Sequence, residues 1–384
     1  MRLRPILAYL ACLVLTLACG GGGDGANISL GGGTPTGNLT VRLGSDSFPG
    51  YDQVVLSIEK LEGSTDGATW TPLGNVRTAV DLMLLQNGNS TAILSAVSVP
   101  MATYTQFRLT WATVNYSSGY TPSFVFANSA QSPLTMPVTT VLSGSVKVAT
   151  TGTSTALLML SGQQAVQNHP AGLTPYTFQA TGSAYDQSAT AHLVGQLVDG
   201  TTRLGGAEVY AETVDANGLA TVQRRAFTDL SGNYALEGLP IGSTYYVAAQ
   251  PGNTSSSYQA LASAPVIAAT ATTYTANLAF ANPQTPAFKL TFQVTPASSA
   301  AQVTWAELRK TLATGSGSQA LIVRSQTLDT NILDGTFIYG LFPDTYDVDA
   351  QRSTSGAAPV MKAGVPSKVT LSSGASSTAT VKYP

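Results

Sequence analysis

Residues Thr228 to Gln250 read T-D-L-S-G-N-Y-A-L-E-G-L-P-I-G-S-T-Y-Y-V-A-A-Q, and a shortened copy, G-T-F-I-Y-G-L-F-P-D-T-Y-D-V-D-A-Q, occupies Gly335 to Gln351. Each has a turn glycine, an alternating strand, a Gly-Leu turn closed by proline, and a second alternating strand ending Ala-Gln. That is the grammar of a β-hairpin. Tyr234 and Leu236 fall on one face of the first strand, and Tyr245, Val247 and Ala249 on one face of the second. Gly232 and Gly238 stand where the turns need positive φ. A chain that repeats this unit is expected to be all-β and built of tandem β-sandwiches.

Composition agrees. Charged residues are only 10% of the 384, against roughly 25% in ordinary globular domains; long helical faces rich in Lys, Glu and Ala are missing and Thr, Val, Tyr and Gly take their place, so β-propensity dominates. The length suffices for two or three domains, each with its own core. A formal net charge of -2 and a pI near 5.7 offer no basic stripe for nucleic acid and no polybasic membrane patch.

The N-terminus reads as an address. Arg2 and Arg4 precede an apolar run, Ile6 to Ala18, too short to span a bilayer but suited to the h-region of a signal peptide occupying residues 1–18. At its end L-T-L-A-C-G resembles a bacterial lipobox, with Ala18 before Cys19, although Thr16 and Leu17 are swapped relative to the usual order. The alternative is an ordinary signal peptide with an incidental cysteine. The only other cysteine, Cys12, lies in the segment to be removed, so a chain beginning at Cys19 has no thiol for a disulfide. Cys19 is the expected lipid attachment, and two or more acyl chains hold a protein stably on a membrane. Gly20 rather than Asp follows the cysteine, which under the enterobacterial sorting rule implies transport to the outer membrane, at the cell surface or on its periplasmic face. Residues 19–37 are Gly-rich and nearly uncharged, a flexible tether.

A first folded region is expected over 38–189. Leu39, Val41 and Leu43 alternate, as do Val54, Leu56 and Ile58. Thr65-Asp66-Gly67 forms a turn before Trp70. Val80 to Leu85 is apolar enough for a buried strand or one short helix, closed by Asn87-Gly88, and Phe107, Leu109 and Trp111 share the core face of a long strand. The series Y-D-Q-V-V-L-S-I-E-K-L-E, W-T-P-L, V-D-L-M-L-L-Q-N-G and V-P-M-A-T-Y-T-Q-F-R-L resembles a bacterial lipoprotein domain family of unknown function. That resemblance implies a surface-attached β-sandwich without known chemistry. Ser47-Phe48-Pro49 replaces the family's Asp-Ala-Pro, and L-L-M-L-S-G-Q-Q (Leu157 to Gln164) replaces a usually acidic strand. Any cation that the family held with those carboxylates would be lost here.

From His192, H-L-V-G-Q-L-V-D-G, G-G-A-E-V-Y-A and the hairpin beginning F-T-D-L-S-G-N-Y resemble the carboxypeptidase regulatory-like domain, a transthyretin-like β-sandwich, over 190–282. Asn282 to Pro286 reads as a short stiff linker. Phe288, Leu290, Phe292 and Val294 then alternate, and the shortened repeat places a third, related sandwich over 287–384. The two copies are expected as beads, each burying its own core.

Little in the chain suggests catalysis. His169 and His192 have no Cys, His or carboxylate at metal-ligand spacing, so no metal is expected. Ser57-Ile58-Glu59-Lys60 matches S-x-x-K without companion motifs and reads as structural. Asp229 could hold calcium with Ser231 and Asn233, but an Asx turn explains it more simply. Asp347 and Asp349 read as a solvated strand face. Tyr116, Tyr120, Phe124 and Phe126 surround the Ser117-Ser118-Gly119 turn, and such aromatic faces suit stacking on sugar rings or peptide. A loop folded on its own sandwich is the plainer reading. The expectation is a non-catalytic envelope lipoprotein without cofactor, acting as a binding, adhesive or scaffolding module whose candidate partners are a glycan or an envelope protein. An accessory role beside an envelope enzyme or polysaccharide machine is the alternative, and an enzyme is a distant third.

Overall fold

A computed structural model describes residues 35–48, 50–112, 121–127, 129–168, 176–179, 181–295, 302–328, 336–354 and 360–382. The chain is all-β, and Pro35–Pro384 form one compact unit. Its strands fall into three sheet systems.

The first system comprises β1 (Thr36–Ser45), β2 (Gln53–Ser64), β3 (Thr71–Asp81), β4 (Ser90–Pro100), β5 (Thr103–Trp111), β6 (Phe124–Ala127), β7 (Ala130–Thr135), β8 (Thr139–Lys147), β9 (Thr153–Leu160), β10 (Val166–Asn168), β11 (Tyr176–Phe178) and β12 (Gly182–Asp186). They form one 12-stranded sheet in the order β10-β11-β7-β6-β2-β5-β8-β12-β9-β1-β4, with β3 on β2. The sheet curls until β3 meets β4, since a Cβ on Gly74 would lie 2.9 Å from Leu94 Cδ2. The alternating residues face inward as expected. Leu39, Val41, Leu43, Val54, Leu56, Ile58, Phe107 and Leu109 are all fully buried, and Trp111 packs edge-on against Phe178 at 5.4 Å. Val80 and Asp81 finish β3, and Leu82–Leu85 form a single 3-10 turn. Asp81 directs this ending, because its carboxylate accepts from Met83 N (3.0 Å) and Val54 N (3.2 Å).

The second system contains β13 (Thr190–Asp199), β14 (Thr202–Arg203), β15 (Glu208–Val214), β16 (Ala220–Phe227), β17 (Asn233–Pro240), β18 (Thr244–Ala249), β19 (Leu261–Ala262), β20 (Val266–Ile267), β21 (Thr273–Thr275) and β22 (Leu278–Phe280). They make two 5-stranded sheets, one centred on β13 and the other ordered β16-β15-β18-β19 with β20 on β18. The third system, β23 (Lys289–Thr295), β24 (Gln302–Ala313), β25 (Ser318–Leu328), β26 (Thr336–Ile338), β27 (Thr345–Thr354), β28 (Val360–Thr370) and β29 (Ser376–Lys382), repeats the pairing. As β13 takes β17 antiparallel and β21 and β22 parallel, so β23 takes β26 antiparallel and β29 parallel. As β15 lies between β16 and β18, so β24 lies between β25 and β27. One difference joins the third system into a single 7-stranded sheet. The β27–β28 pairing skips from Lys368 to Ala363, and Val365 within the skip pairs with Thr380 of β29.

The repeated hairpin behaves as its residues require. Gly232 and Gly238 have φ of 73 and 71°. A Cβ on Gly232 would stand 2.6 Å from Leu197 O. Gly232→Val should therefore lower stability by about 2–3 kcal/mol through left-handed strain and this clash; chemical denaturation measures it, and an unchanged midpoint would remove the argument. Asp229 serves the turn, accepting from Ser231 N and Asn233 N, each at 2.8 Å. Those backbone donors hold its carboxyl below the usual range.

Two features of the repeat are not visible as hairpin grammar. Tyr245 donates to Pro240 O at 2.7 Å and Tyr346 to Phe342 O at 2.7 Å, so each hairpin locks its turn with a buried phenol. Tyr104 does the same to Pro100 O at 3.0 Å, which makes V-P-M-A-T-Y of the first system a further instance of one tyrosine-corner device. The Gly-Leu turn also docks each system on the one before it. Gly238 lies where a Cβ would be 3.2 Å from Leu157 and Met159 of β9, and the equivalent Gly340, also at φ 71°, sits against the backbone of Gly252 and Asn253.

Docking corrects the expectation of independent beads. Ala220, Ala248 and Ala260 of the second system belong to the same buried cluster as Leu308, Leu321 and Tyr346 of the third. Strand β15 is buried at five consecutive positions, Glu208 to Glu212. An exposed sheet would alternate, but here β25 covers the outer face, with Ser325 N donating to Tyr210 Oη (3.0 Å) and Ile322 N to Glu212 Oε2 (2.9 Å). The segment after Ala281 is likewise pinned, because Gln284 and Ser257 exchange both backbone hydrogen bonds at 2.9 Å. The same reasoning explains L-L-M-L in β9: Leu158 and Leu160 enter the first core, while Leu157 and Met159 meet the second system.

Candidate functional site

The expected site is only partly in view. Cys19, Tyr116, Tyr120 and His169 lie outside the described residues. Phe124 and Phe126 stand on one face of β6, half-buried, while Val125 between them enters the core. Phe124 is opposite Val55 of β2 and Pro133 of β7, and Phe126 is opposite Gln53 and Gln131. The two rings form a short aromatic strip on the outer surface of the sheet. Ser57 is structural: it is buried, donates to Thr121 O and accepts nothing from Lys60, which sits 3.4 Å from Glu62. His192 Nδ1 lies 4.0 Å from Glu237 Oε1. Burial raises the Glu237 carboxyl, against the pull of His192 and Arg42. No group of three His, Cys, Asp or Glu side chains suited to a metal occurs among the described residues.

The densest chemistry lies elsewhere, in the seams between sheet systems. Arg225 on β16 donates from Nη2 to Glu208 Oε1 (2.8 Å) and from Nε to Ser47 Oγ of the first system (3.3 Å). Glu208 also accepts from Tyr210 Oη at 2.6 Å and lies 3.6 Å from Arg324 Nη1 of the third system. Thus β15 carries Glu208, Tyr210 and Glu212 on one face, all covered. Burial pushes the Tyr210 phenol and the Glu212 carboxyl well up.

A second cluster lies on β24 and β27. Glu307 accepts from Trp305 Nε1 (3.1 Å), Gln351 Nε2 (2.8 Å) and Arg309 Nη2. Arg309 also donates from Nε to Asp349 Oδ2 and from Nη1 to Ala220 O of β16, both at 2.8 Å. This corrects the solvated reading of Asp349. Asp347 is exposed, with Lys368 at 3.1 Å, whereas the Asp349 side chain is only 13% exposed and shares Arg309 with Glu307. Burial, then the Glu307 charge, raise the Asp349 carboxyl to about 7. The strand alternates as expected, but its second aspartate faces β24 and not water.

The clusters border one open cleft of about 350 Å³, walled by the Asp46 segment and β12, by the edge strand β16, and by β24 and β27. Arg224 crosses its wall. All three guanidinium nitrogens donate to backbone carbonyls, Nε to Glu237 O, Nη1 to Gln223 O and Nη2 to Gly238 O, and its plane lies 4.9 Å from the Tyr185 ring centre. Asp46 accepts the Arg225 backbone N–H, and burial raises its carboxyl while Arg224 and Arg225 oppose the rise. The available signal was Glu-x-Tyr-x-Glu and Trp-x-Glu-x-Arg in a charge-poor chain, where paired charges beside aromatics on one strand face suggest a covered surface.

Residues 36–164 match the family model described as a domain of unknown function, DUF4382, and that stretch is such a domain. The match stops before β10–β12, which complete the same sheet system. No curated protein sequence matches the chain. Among solved structures, a streptococcal ancillary pilin aligns over 90% of this chain and 99% of its own at 12% identity and a TM-score of 0.21. The TIE protein of Bacillus anthracis aligns over 91% and 50%, at 12% identity and 0.19. A putative cell adhesion protein from Bacteroides ovatus aligns over 50% and 91%, at 12% and 0.18. Superpositions of that quality carry no argument about this chain.

Proposed function

We propose that the chain is a non-catalytic lipoprotein of the cell envelope, anchored through Cys19 to the outer membrane, that displays its β-sheet unit as a binding, adhesive or scaffolding module facing carbohydrate. The observation that carries this reading is how the scarce charges are used. Glu208, Glu212, Arg225, Glu307 and Arg309 are all buried, and their bonds cross from one sheet system to the next. Groups engaged in this way hold three sheet systems in fixed register. That suits a rigid displayed body more than acid-base turnover, which needs groups free to exchange protons with a substrate. In this reading 190–282 is a carboxypeptidase regulatory-like sandwich and 287–384 its diverged copy.

Two measurements test it. Radiolabelled palmitate should enter the wild-type chain and be absent from Cys19→Ala; label that persists in the variant would refute the anchor. Intact-cell retention on envelope polysaccharide should depend on the chain, whereas stoichiometric crosslinking to one envelope protein without glycan retention would point to the accessory role.

A further inference from the structure

The junction cleft is the strongest unassigned feature of the molecule. Its volume of about 350 Å³ falls within the roughly 300–1,000 Å³ of small-molecule sites, and what lines it narrows the guest. We propose that it binds a neutral sugar residue of a glycan, with ring hydroxyls donating to Asp46 and Gln351 and accepting from the cleft's own hydroxyls. This rests on the reading of the chain as a carbohydrate-facing module and adds the place and the class of sugar.

Charge narrows the guest first. The charged cleft residues are Asp46, Arg224, Arg225 and Glu307. Arg224 spends every nitrogen on backbone carbonyls, Arg225 is neutralised by Glu208, and Glu307 is held by Arg309. Two arginines against Asp46 and Glu307 leave the lining without net positive charge to select a phosphate, sulfate or carboxylate. Hydrogen-bonding capacity narrows it further. Gln351 gives its Nε2 donor to Glu307, which turns the side chain into an acceptor toward a guest. Ser183 of β12 and Thr221 of β16, both in the lining, each offer a hydroxyl that can donate or accept. A polyol meets a mixed lining of this kind, whereas an apolar guest would strand it.

A peptide added to the sheet is disfavoured by the edge itself. Strand β16 is an open edge, the usual template for an incoming strand. Here Arg309 caps Ala220 O, Arg224 caps Gln223 O, and Asp46 caps the Arg225 N–H. An edge already closed by side chains has few groups left to pair.

The test uses the full chain in detergent against an array of neutral hexose and N-acetylhexosamine oligosaccharides, with sialylated and sulfated glycans alongside, followed by titration calorimetry on any hit. Thr221→Trp fills the mouth from an exposed strand position and should abolish binding, and Asp46→Asn should weaken it at least tenfold. Binding confined to anionic glycans would overturn the inference. So would binding unchanged in both variants but lost in Phe124→Ala/Phe126→Ala, a result that moves the site to β6 and leaves the carbohydrate reading standing. A blank array would remove both. Circular dichroism and an unchanged melting temperature for Thr221→Trp would show that loss of binding is not loss of fold.

Discussion

Arg225→Met should destabilise the folded unit by about 3 kcal/mol, at the lower end of the roughly 3–5 kcal/mol lost when one partner of a buried ion pair is removed. The reason is what remains. Glu208 would stay buried with Arg324 at 3.6 Å as its nearest cation and Tyr210 as its hydroxyl donor. Those two blunt the loss without replacing an ion pair at 2.8 Å. Ser47 would lose its donor from the second system, and Asp46 one of its two cations. Chemical denaturation gives the magnitude, and hydrogen exchange gives the place: protection should fall first along β15 and β16, before the first core around Leu56 and Phe107. A loss below about 1 kcal/mol would put the pair in the class of exposed salt bridges and deny it a part in the joint.

The companion double variant separates stability from specificity. Glu208→Leu/Arg225→Met removes both charges, and buried pairs replaced by apolar residues of similar size are often neutral or stabilising. Recovery of most of the lost stability is therefore expected. What the double variant should not recover is the single register between systems, because Tyr210 would then have only the Ser325 amide. Broadened amide signals along β25, with stability intact, are the expected signature.

The division between what was readable and what was not follows from the range of the interactions. The hairpins were readable because period-two alternation and left-handed glycines act within a few residues. Gly232, Gly238, Tyr234 and Val247 all stand as their neighbours require. The use of Val80 to Leu85 stayed ambiguous, because only Asp81 accepting from Met83 N decides in favour of a 3-10 turn. The seams were not readable from alternation alone, since Glu208, Tyr210 and Glu212 alternate on β15 as a solvated face would. Only the arrival of β25, more than a hundred residues later in the chain, makes them interior. Asp349 misled for the same reason: alternation assigns a residue to a face but cannot say what covers that face. The aromatic cluster was half legible, because Phe124 and Phe126 do share a face whereas Tyr116 and Tyr120 lie beyond the described residues.

The unit should be most stable in mild acid and lose stability as pH rises toward neutrality. Together with Glu212, Asp349 contributes to this dependence. Its folded carboxyl titrates at about 7 against an ordinary 3.8, so between these values the folded state holds a proton that the unfolded chain has released. Stability then falls with rising pH across that window, by at most about 1.4 kcal/mol per pH unit for one proton, and levels off above it. The physical source is the count of charges around Arg309. Glu307 and Asp349 both bond to it, and Glu212 feels both Arg309 and Glu307. Three buried carboxylates facing one guanidinium cannot all ionise cheaply. Asp349→Asn removes one of the three. Urea denaturation from about pH 4 to about pH 8 should show the two proteins close together at the acid end. The variant should pull ahead by about 1–3 kcal/mol at the alkaline end, with its slope reduced by about one proton. The slope should not vanish, because Glu212 and Asp46 are also raised by burial; Asp349→Asn/Glu212→Gln should flatten it further. If the single variant keeps the full wild-type slope, the proton at the joint belongs to another group, and the charge count around Arg309 is not what ties the second and third systems to pH.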